Sequence, residues 1–305
     1  MPDLPAIPAL LDRLAAILGP RGLLTEQADI APYLSDWRAI YQGASPALAR
    51  PASTEEVAAV VRLCAETGTR LVPQGGNTSM VGGAVPDESG TQLVLSLSRM
   101  NRVRDIDTVD MTMTAEAGLV LKTAQDVAAE AGCLFPLSLG AEGTATIGGV
   151  LSTNAGGNTT VRYGNARELM LGLEVVLPDG SVWNGLRRLR KDNTGYALRH
   201  LFVGAEGTLG IVTAAVLRLF PRPRDSALAF CAVADEDAAL ALFRRFRDRD
   251  ESAVRAFEYM SGTAPPTMEV LPPCGTSLVP VSAQSLTTAA TSSVEAGLAR
   301  AGLAP

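Results

Sequence analysis

Pro73-Gln74-Gly75-Gly76-Asn77-Thr78-Ser79-Met80-Val81-Gly82-Gly83 is the stretch that decides the reading of this chain. Two further segments share its character. One is Gly140-Ala141-Glu142-Gly143-Thr144-Ala145-Thr146-Ile147-Gly148-Gly149, continued by Thr153-Asn154-Ala155-Gly156-Gly157. The other is Gly204-Ala205-Glu206-Gly207-Thr208-Leu209-Gly210-Ile211. Glycines beside small hydroxyl and amide residues let a backbone approach a ligand closely and turn successive N–H groups toward one point. That arrangement cradles a pyrophosphate without a lysine. A single such segment is also what a ligand-free turn looks like. Three, each in a strand-to-loop setting, point to one large phosphate-bearing cofactor.

Other nucleotide sites are absent from the sequence. No G-x-G occurs, which excludes the Rossmann dinucleotide fingerprint, and no G-x-x-x-x-G-K-[ST] occurs, which excludes a P-loop. Gly204-x-x-Gly207-x-x-Gly210 leads into an apolar, β-branched run rather than a helix.

The flanking sequence predicts mixed helix and strand. Ser53-Thr54-Glu55-Glu56 has the form of a capping box opening a helix that points Val57, Val60, Val61 and Cys64 inward and ends near Gly68. Leu71-Val72-Pro73 then forms a short strand into the first glycine loop. Strands are expected over Leu93–Leu97, Met111–Ala115 and Gly210–Phe220, with a helix from Leu119 to Ala131 closed by Gly132. Leu169–Leu177 runs into an Asp179-Gly180 hairpin turn and returns through Ser181–Trp183. Beyond Pro223, Ala227–Val233 reads as strand, Asp237–Arg247 as helix and Ala253–Tyr259 as strand.

Composition sets the outer bounds. The chain has 305 residues, 47% of them hydrophobic, enough for two cores. A net charge of −6 argues against a nucleic-acid partner. Cys64, Cys133, Cys231 and Cys274 are widely spaced, without C-x-x-C, and read as single thiols in a reducing compartment. Ile7, Leu10, Leu11, Leu14, Ile17 and Leu18 recur at helical spacing, but Asp12 and Arg13 interrupt any signal-type apolar core, so residues 1–22 are expected to be an amphipathic helix of a cytoplasmic protein without a membrane span.

On the three glycine segments, with Phe135–Gly157 and Arg190-Lys191-Asp192-Asn193-Thr194-Gly195-Tyr196, the chain resembles the FAD-linked oxidoreductases of the vanillyl-alcohol oxidase / p-cresol methylhydroxylase fold. Within them it is most similar to D-2-hydroxyglutarate dehydrogenase and its D-lactate and glycolate oxidising relatives. The similarity runs from Leu4 to Met260. It implies an α+β architecture: an N-terminal helical segment over 1–49, a PCMH-type FAD-binding module of two subdomains over 50–223, the start of a ferredoxin-like cap over 224–260, and a divergent tail over 261–305.

The resemblance also assigns residues. Pro73, Gly75, Gly76, Asn77, Thr78, Ser79, Gly82 and Gly83 would form the pyrophosphate loop, with the Asn77 amide and the two hydroxyls adding donors. Gly143, Thr144, Gly148 and Gly149 would lie beside pyrophosphate and isoalloxazine, and Thr153, Asn154 and Gly157 against the flavin. Gly207, Gly210 and Ile211 would line the adenine side. Arg162 and Lys191 could attract a carboxylate substrate, although a salt bridge explains either equally well. For Glu206 a loop-capping role is expected over a catalytic one. The relatives use a histidine base and a histidine-rich metal site, and many attach FAD through a histidine in the first loop. Here the one histidine, His200, sits at the end of an expected helix in a packing or capping role. Non-covalent FAD is therefore expected, with no metal site and no assigned catalytic residue. The implied reaction is hydride transfer from a D-2-hydroxy acid to flavin, with electrons passed to a carrier. The alternative is an inactive or split FAD-binding fragment that needs a second, cap-bearing polypeptide, and an exposed half cap would favour oligomer formation.

Overall fold

A computed structural model describes residues 7–229, 231 and 233–260. These divide into two compact units, Met1–Arg222 and the chain from Pro223 onward.

The first unit begins with α1 (Ile7–Leu18), which buries Leu10, Leu14 and Leu18 along one face, as the helical spacing requires. β1 (Leu23–Leu24), α2 (Gln27–Ile30) and β2 (Leu48–Ala49) follow. Next come α3 (Thr54–Thr67), β3 (Leu71–Gln74) and β4 (Leu93–Ser96). The strands form a sheet in the order β1-β2-β4-β3, with β2, β4 and β3 mutually parallel and β1 antiparallel. Residues 7–49 are thus built into the module, since α1 packs in its core and β1 and β2 complete its sheet. At the start of α3 the Ser53 hydroxyl accepts from Glu56 N (3.2 Å), and the Glu56 carboxylate reaches back to Ala52 N (2.7 Å), one residue earlier than an ideal capping box. Gly68 closes the helix in the left-handed region at φ +69°.

The second sheet uses β5 (Val103–Asp107), β6 (Thr112–Glu116), then α4 (Leu121–Glu130), β7 (Cys133–Leu134), α5 (Ile147–Ser152), α6 (Thr160–Tyr163), β8 (Met170–Val176), β9 (Val182–Gly185), α7 (Arg199–Phe202), β10 (Ile211–Arg218) and β11 (Phe220–Pro221). Its order is β5-β6-β10-β8-β9, antiparallel throughout, while β7 and β11 pair separately. The expected hairpin is present: Gly180 takes φ +77°, and Leu177 N donates to Ser181 O at 2.9 Å. One hydrophobic core, including Leu14, Val60, Leu95, Met113, Ile147, Val175 and Leu217, runs from the first sheet into the second. A smaller cluster of Ile30, Leu34, Leu48, Val72 and Val94 covers the other face of the first sheet.

Charge is also buried between these layers. Arg104 bridges Glu116 (3.4 Å) and Glu174 (3.1 Å), while the Thr54 hydroxyl at the start of α3 donates to Glu174 at 2.7 Å. Thr213, at a bulge in β10, donates to the same carboxylate at 2.9 Å. Glu116 is 1% exposed. Burial pushes its pKa upward, but the hydrogen bonds and charge of Arg102, together with Arg104, outweigh this and hold it below the ordinary value.

In the second unit α8 (Glu236–Asp250) matches the expected helix and is capped by Asp235, whose carboxylate accepts from Ala238 N at 2.8 Å. Phe243 and Phe257 pack with ring centroids 5.0 Å apart. The strands expected on either side are a correction. Described residues of 227–233 and the whole of 253–259 are not in strands, so of the expected β-α-β unit the described residues show the helix. Isolated strands leave their N–H and C=O groups without a ladder, and neither run finds one among the described residues. Residues 261–305, read as a divergent tail, and Cys274 lie outside the described residues.

Candidate cofactor site

The first glycine loop leaves β3 and turns at once. Asn77 adopts a left-handed backbone (φ +51°), as do Asn154 (φ +48°) in the second segment and Glu206 (φ +53°) in the third. A non-glycine residue in this region is uncommon, and Asn tolerates it best. Three of the five such residues described therefore fall in the three segments selected from sequence. That clustering marks them as one shaped site rather than three unrelated turns.

The segments meet in space. A methyl group placed on Gly75 would lie 2.5 Å from the Thr146 hydroxyl, and one on Gly76 would lie 2.0 Å from Thr144 O. A methyl on Gly207 would fall 2.7 Å from the Pro73 ring, and one on Gly83 would touch the Glu206 carboxylate at 3.4 Å. Glu206 N donates to Ser152 O (2.9 Å) and Gly204 N to Leu151 O (3.1 Å), which ties the third segment to α5. Arg167 completes the joint: its backbone N–H donates to Asn154 Oδ1 (3.0 Å), and its guanidinium donates to His200 O (2.8 Å) and Val203 O (2.6 Å).

The loop's own donors are free. Among the described residues, the backbone N–H groups of Gly76, Asn77, Thr78, Ser79 and Met80 donate to no protein acceptor. Four of these residues are only partly exposed. Successive N–H groups without a protein acceptor on a glycine-rich turn are available to an anion. The Thr78 hydroxyl also has no protein partner, and the Ser79 hydroxyl accepts from Val81 N (3.4 Å) while keeping its own proton to donate. These residues fit a pyrophosphate.

Other expected site residues serve the protein instead. The Asn77 side chain donates to Ser35 O (2.7 Å), so its amide anchors the loop and leaves phosphate contact to the backbone. Gly148 N is committed to Ala117 O (2.7 Å), and a methyl there would press on Ala117 at 2.8 Å. Gly157 faces Ser138 O, which a methyl would approach to 1.7 Å. Its glycine, like those at Gly75, Gly76 and Gly148, is required by close protein packing. Gly143 differs, because nothing lies within 4 Å of a methyl placed there. Thr144 is exposed beside it, and Gly149 N reaches Thr146 Oγ1 at 3.4 Å. The Thr153 hydroxyl donates to Gly149 O (3.1 Å) and Asn154 accepts from Arg167. Gly82 and Gly210 have φ of +75° and +159°, and Ile211 begins β10 with its side chain buried.

Of the polar candidates, Arg162, Lys191 and Glu206 are exposed. Arg162 is exposed and stacks on Tyr163 at 5.0 Å, and Lys191 is exposed; neither forms an ion pair among the described residues, so the salt-bridge explanation for them is not realised. Glu206 caps nothing: its carboxylate accepts no hydrogen bond among the described residues and lies over Gly83. His200 sits in α7 with Nδ1 buried and unpartnered, and burial first, then Arg199 and Arg167, depress its pKa. The sequence reading missed Gln74 and Asp36. Gln74 is 3% exposed and donates to Tyr33 O (2.9 Å) and Ala84 O (2.8 Å), bracketing the loop, and its place directly before Gly75 was the only available signal.

Comparison with known proteins agrees with this geometry. Residues 45–185 match the FAD binding domain family. It is 42% identical over 253 residues to the mitochondrial D-2-hydroxyglutarate dehydrogenase of Bos taurus, covering 82% of this chain and 46% of the relative. It is 40% identical over 242 residues to a D-2-hydroxyglutarate dehydrogenase of Xanthomonas citri pv. viticola, covering 79% and 50%. The chain thus spans about half the length of these relatives. Among solved structures, an alkyldihydroxyacetonephosphate synthase matches with a TM-score of 0.65 (24% identity, 72% of this chain and 41% of that one). p-Cresol methylhydroxylase matches at 0.62 (24% identity, 72% and 44%), which places the fold in the PCMH-type group expected from sequence.

Proposed function

We propose that this chain supplies the FAD-binding half of an oxidoreductase that acts on a D-2-hydroxy acid of the 2-hydroxyglutarate, lactate or glycolate class. The observation that carries the reading is the run of five unpartnered N–H groups from Gly76 to Met80, gathered where the three glycine segments meet. The 2-hydroxyglutarate class rests on the relatives' names, and the lactate and glycolate classes on the sequence resemblance.

FAD, when bound, would supply the acceptor for a hydride leaving C2 of the substrate. This chain's residues hold and shape. The backbone of 76–80, with Thr78 and Ser79, would grip the pyrophosphate, and the open face at Gly143 would admit a flat ring. Arg162 and Lys191, exposed and without ion-pair partners, would draw in a carboxylate. The first loop carries Asn77 and no histidine, so the cofactor would dissociate. Electrons would leave through a separate carrier. A reducing compartment, the cytoplasm in this reading, suits Cys64, Cys133 and Cys231, all free. Among the described residues no helix is long and apolar enough to cross a membrane.

A second reading is an FAD-binding fragment that turns over only with a complementing polypeptide or as an oligomer. His200 favours it: the one imidazole in the sequence has a buried, unpartnered nitrogen and sits in α7, outside the three glycine segments. The visible spectrum of the desalted protein, followed anaerobically while D-2-hydroxyglutarate is added, separates the two. Bleaching of bound flavin shows turnover by this chain. Flavin that stays yellow favours the fragment, and a chain that never takes up flavin sinks both.

A further inference from the structure

The pyrophosphate loop has a companion strand of chain that the FAD-domain match, starting at residue 45, leaves out. Residues 33–44 form a closed turn. Gly43 N donates to Leu34 O (2.9 Å), Ser35 bridges Gln42, and Asp36 N donates to Tyr41 O (3.1 Å). Asp36, 4% exposed, fixes its tip: Oδ1 accepts from Ile40 N and Tyr41 N, both at 2.8 Å, and Oδ2 from Arg38 N at 3.4 Å. Beneath it Leu34 joins the small core on the outer face of the first sheet.

This turn touches residues 74–87 five times, in the same order along both. Gln74 Nε2 donates to Tyr33 O, and Asn77 Nδ2 donates to Ser35 O. Gly82 lies under the Tyr41 ring, where a methyl would come within 2.8 Å. At the far end Ala44 N donates to Asp87 O (2.8 Å), and a methyl on Gly43 would meet Pro86 O at 1.8 Å. Residues 33–44 therefore run beside 74–87 from end to end. Every contact uses the loop's side chains, its glycine faces or its flanks, and none uses the N–H groups of 76–80.

We infer that residues 33–44 are a positioning brace that holds the loop's N–H groups converged on the cofactor pyrophosphate, with Asp36 and Gln74 as its two positioning residues. A loop of glycines has the highest conformational entropy of any chain, so an unbraced nest must be ordered by the ligand at a cost in affinity. The brace meets that cost during folding. The inference rests on the FAD reading above.

The test uses the full chain and two probes, FAD and riboflavin, which share the isoalloxazine and ribityl chain, while riboflavin lacks the pyrophosphate and the adenosine beyond it. Gln74→Leu removes both anchoring donors at similar volume. Asp36→Ala removes the acceptors at the tip, whereas Asp36→Asn keeps an Oδ1 that can still accept from Ile40 N and Tyr41 N. Thermal melting confirms folding of each. The expected result is that Gln74→Leu and Asp36→Ala lower the ratio of FAD to riboflavin affinity by about tenfold, while Asp36→Asn stays near the parent. An unchanged ratio in folded Gln74→Leu and Asp36→Ala overturns the brace. So does failure of both to fold, which would make the segment a general folding element. If the parent chain itself does not prefer FAD over riboflavin, the cofactor reading fails instead.

Discussion

Substituting Gly76 and Gly143 separates packing from ligand contact at neighbouring points of one site. A methyl on Gly76 would sit 2.0 Å from Thr144 O, 2.7 Å from Thr144 C and 3.0 Å from Ala145 Cα. The first and second glycine segments must part by about 1.4 Å to restore 3.4 Å of ordinary contact. Both sides are backbone, so no side chain can swing away. Overpacking of this kind costs about 2–3 kcal/mol, which lowers the melting temperature of a domain this size by about 5–10 °C. Gly143 is the contrasting case. Nothing lies within 4 Å of its methyl and its φ is not left-handed, so Gly143→Ala should leave the apoprotein within about 0.5 kcal/mol of the parent. Its effect should appear in FAD affinity if the proposed flavin ring uses that open space. Differential scanning fluorimetry of both apoproteins, followed by flavin-fluorescence titration, gives the two numbers. A Gly76→Ala protein as stable as the parent, or a Gly143→Ala protein that is destabilised without gaining an FAD defect, would refute the reasoning.

The buried charges and thiols make further predictions. Glu116 has a folded pKa below its unfolded one, so its contribution to stability is present above about 4.5, the ordinary glutamate value, and is lost as pH falls through the depressed value. Glu116→Gln should flatten the acid limb of the stability–pH curve, measured by urea unfolding between pH 3 and 6 in ~0.5-unit steps. Arg104→Met strands Glu116 and Glu174 without their shared cation and should lower the melting temperature more than Arg102→Met, since Arg102 is 73% exposed on its side chain and well screened. Burial pushes the Cys64 thiol up to about 12, so it should resist alkylation in the native protein and react only on unfolding, while exposed Cys231 reacts at once; peptide mass mapping after brief iodoacetamide treatment checks both.

Local rules carried much of the fold from the sequence. The capping box at Ser53, the stop at Gly68, the Asp179-Gly180 turn and the apolar run into β10 each depend on residues a few positions apart, and each is found within one or two residues of its expected place. The three glycine segments were legible as one site because their residue types are rare in combination. Individual roles within them were not. Whether Gly148 faces a ligand or Ala117, and whether Asn77 serves phosphate or Ser35, depends on contacts between residues tens of positions apart that no local pattern encodes. The Glu116–Arg104–Glu174 bridge was invisible for the same reason, its members being distributed over three strands. The strands expected after Pro223 failed for a related cause: their β-branched and apolar residues satisfy a strand pattern, but a strand exists only with a partner, and pattern alone does not supply one.

If the free N–H groups of residues 76–80 hold the pyrophosphate of a dissociable FAD, a bare pyrophosphate-bearing nucleotide must compete for the site. Equilibrium titration of the desalted chain with FAD, repeated in the presence of ADP and of riboflavin, tests it most directly. The account predicts saturable one-to-one binding that ADP displaces and riboflavin does not. Binding that riboflavin displaces as readily as unlabelled FAD, while ADP leaves it untouched, would contradict it.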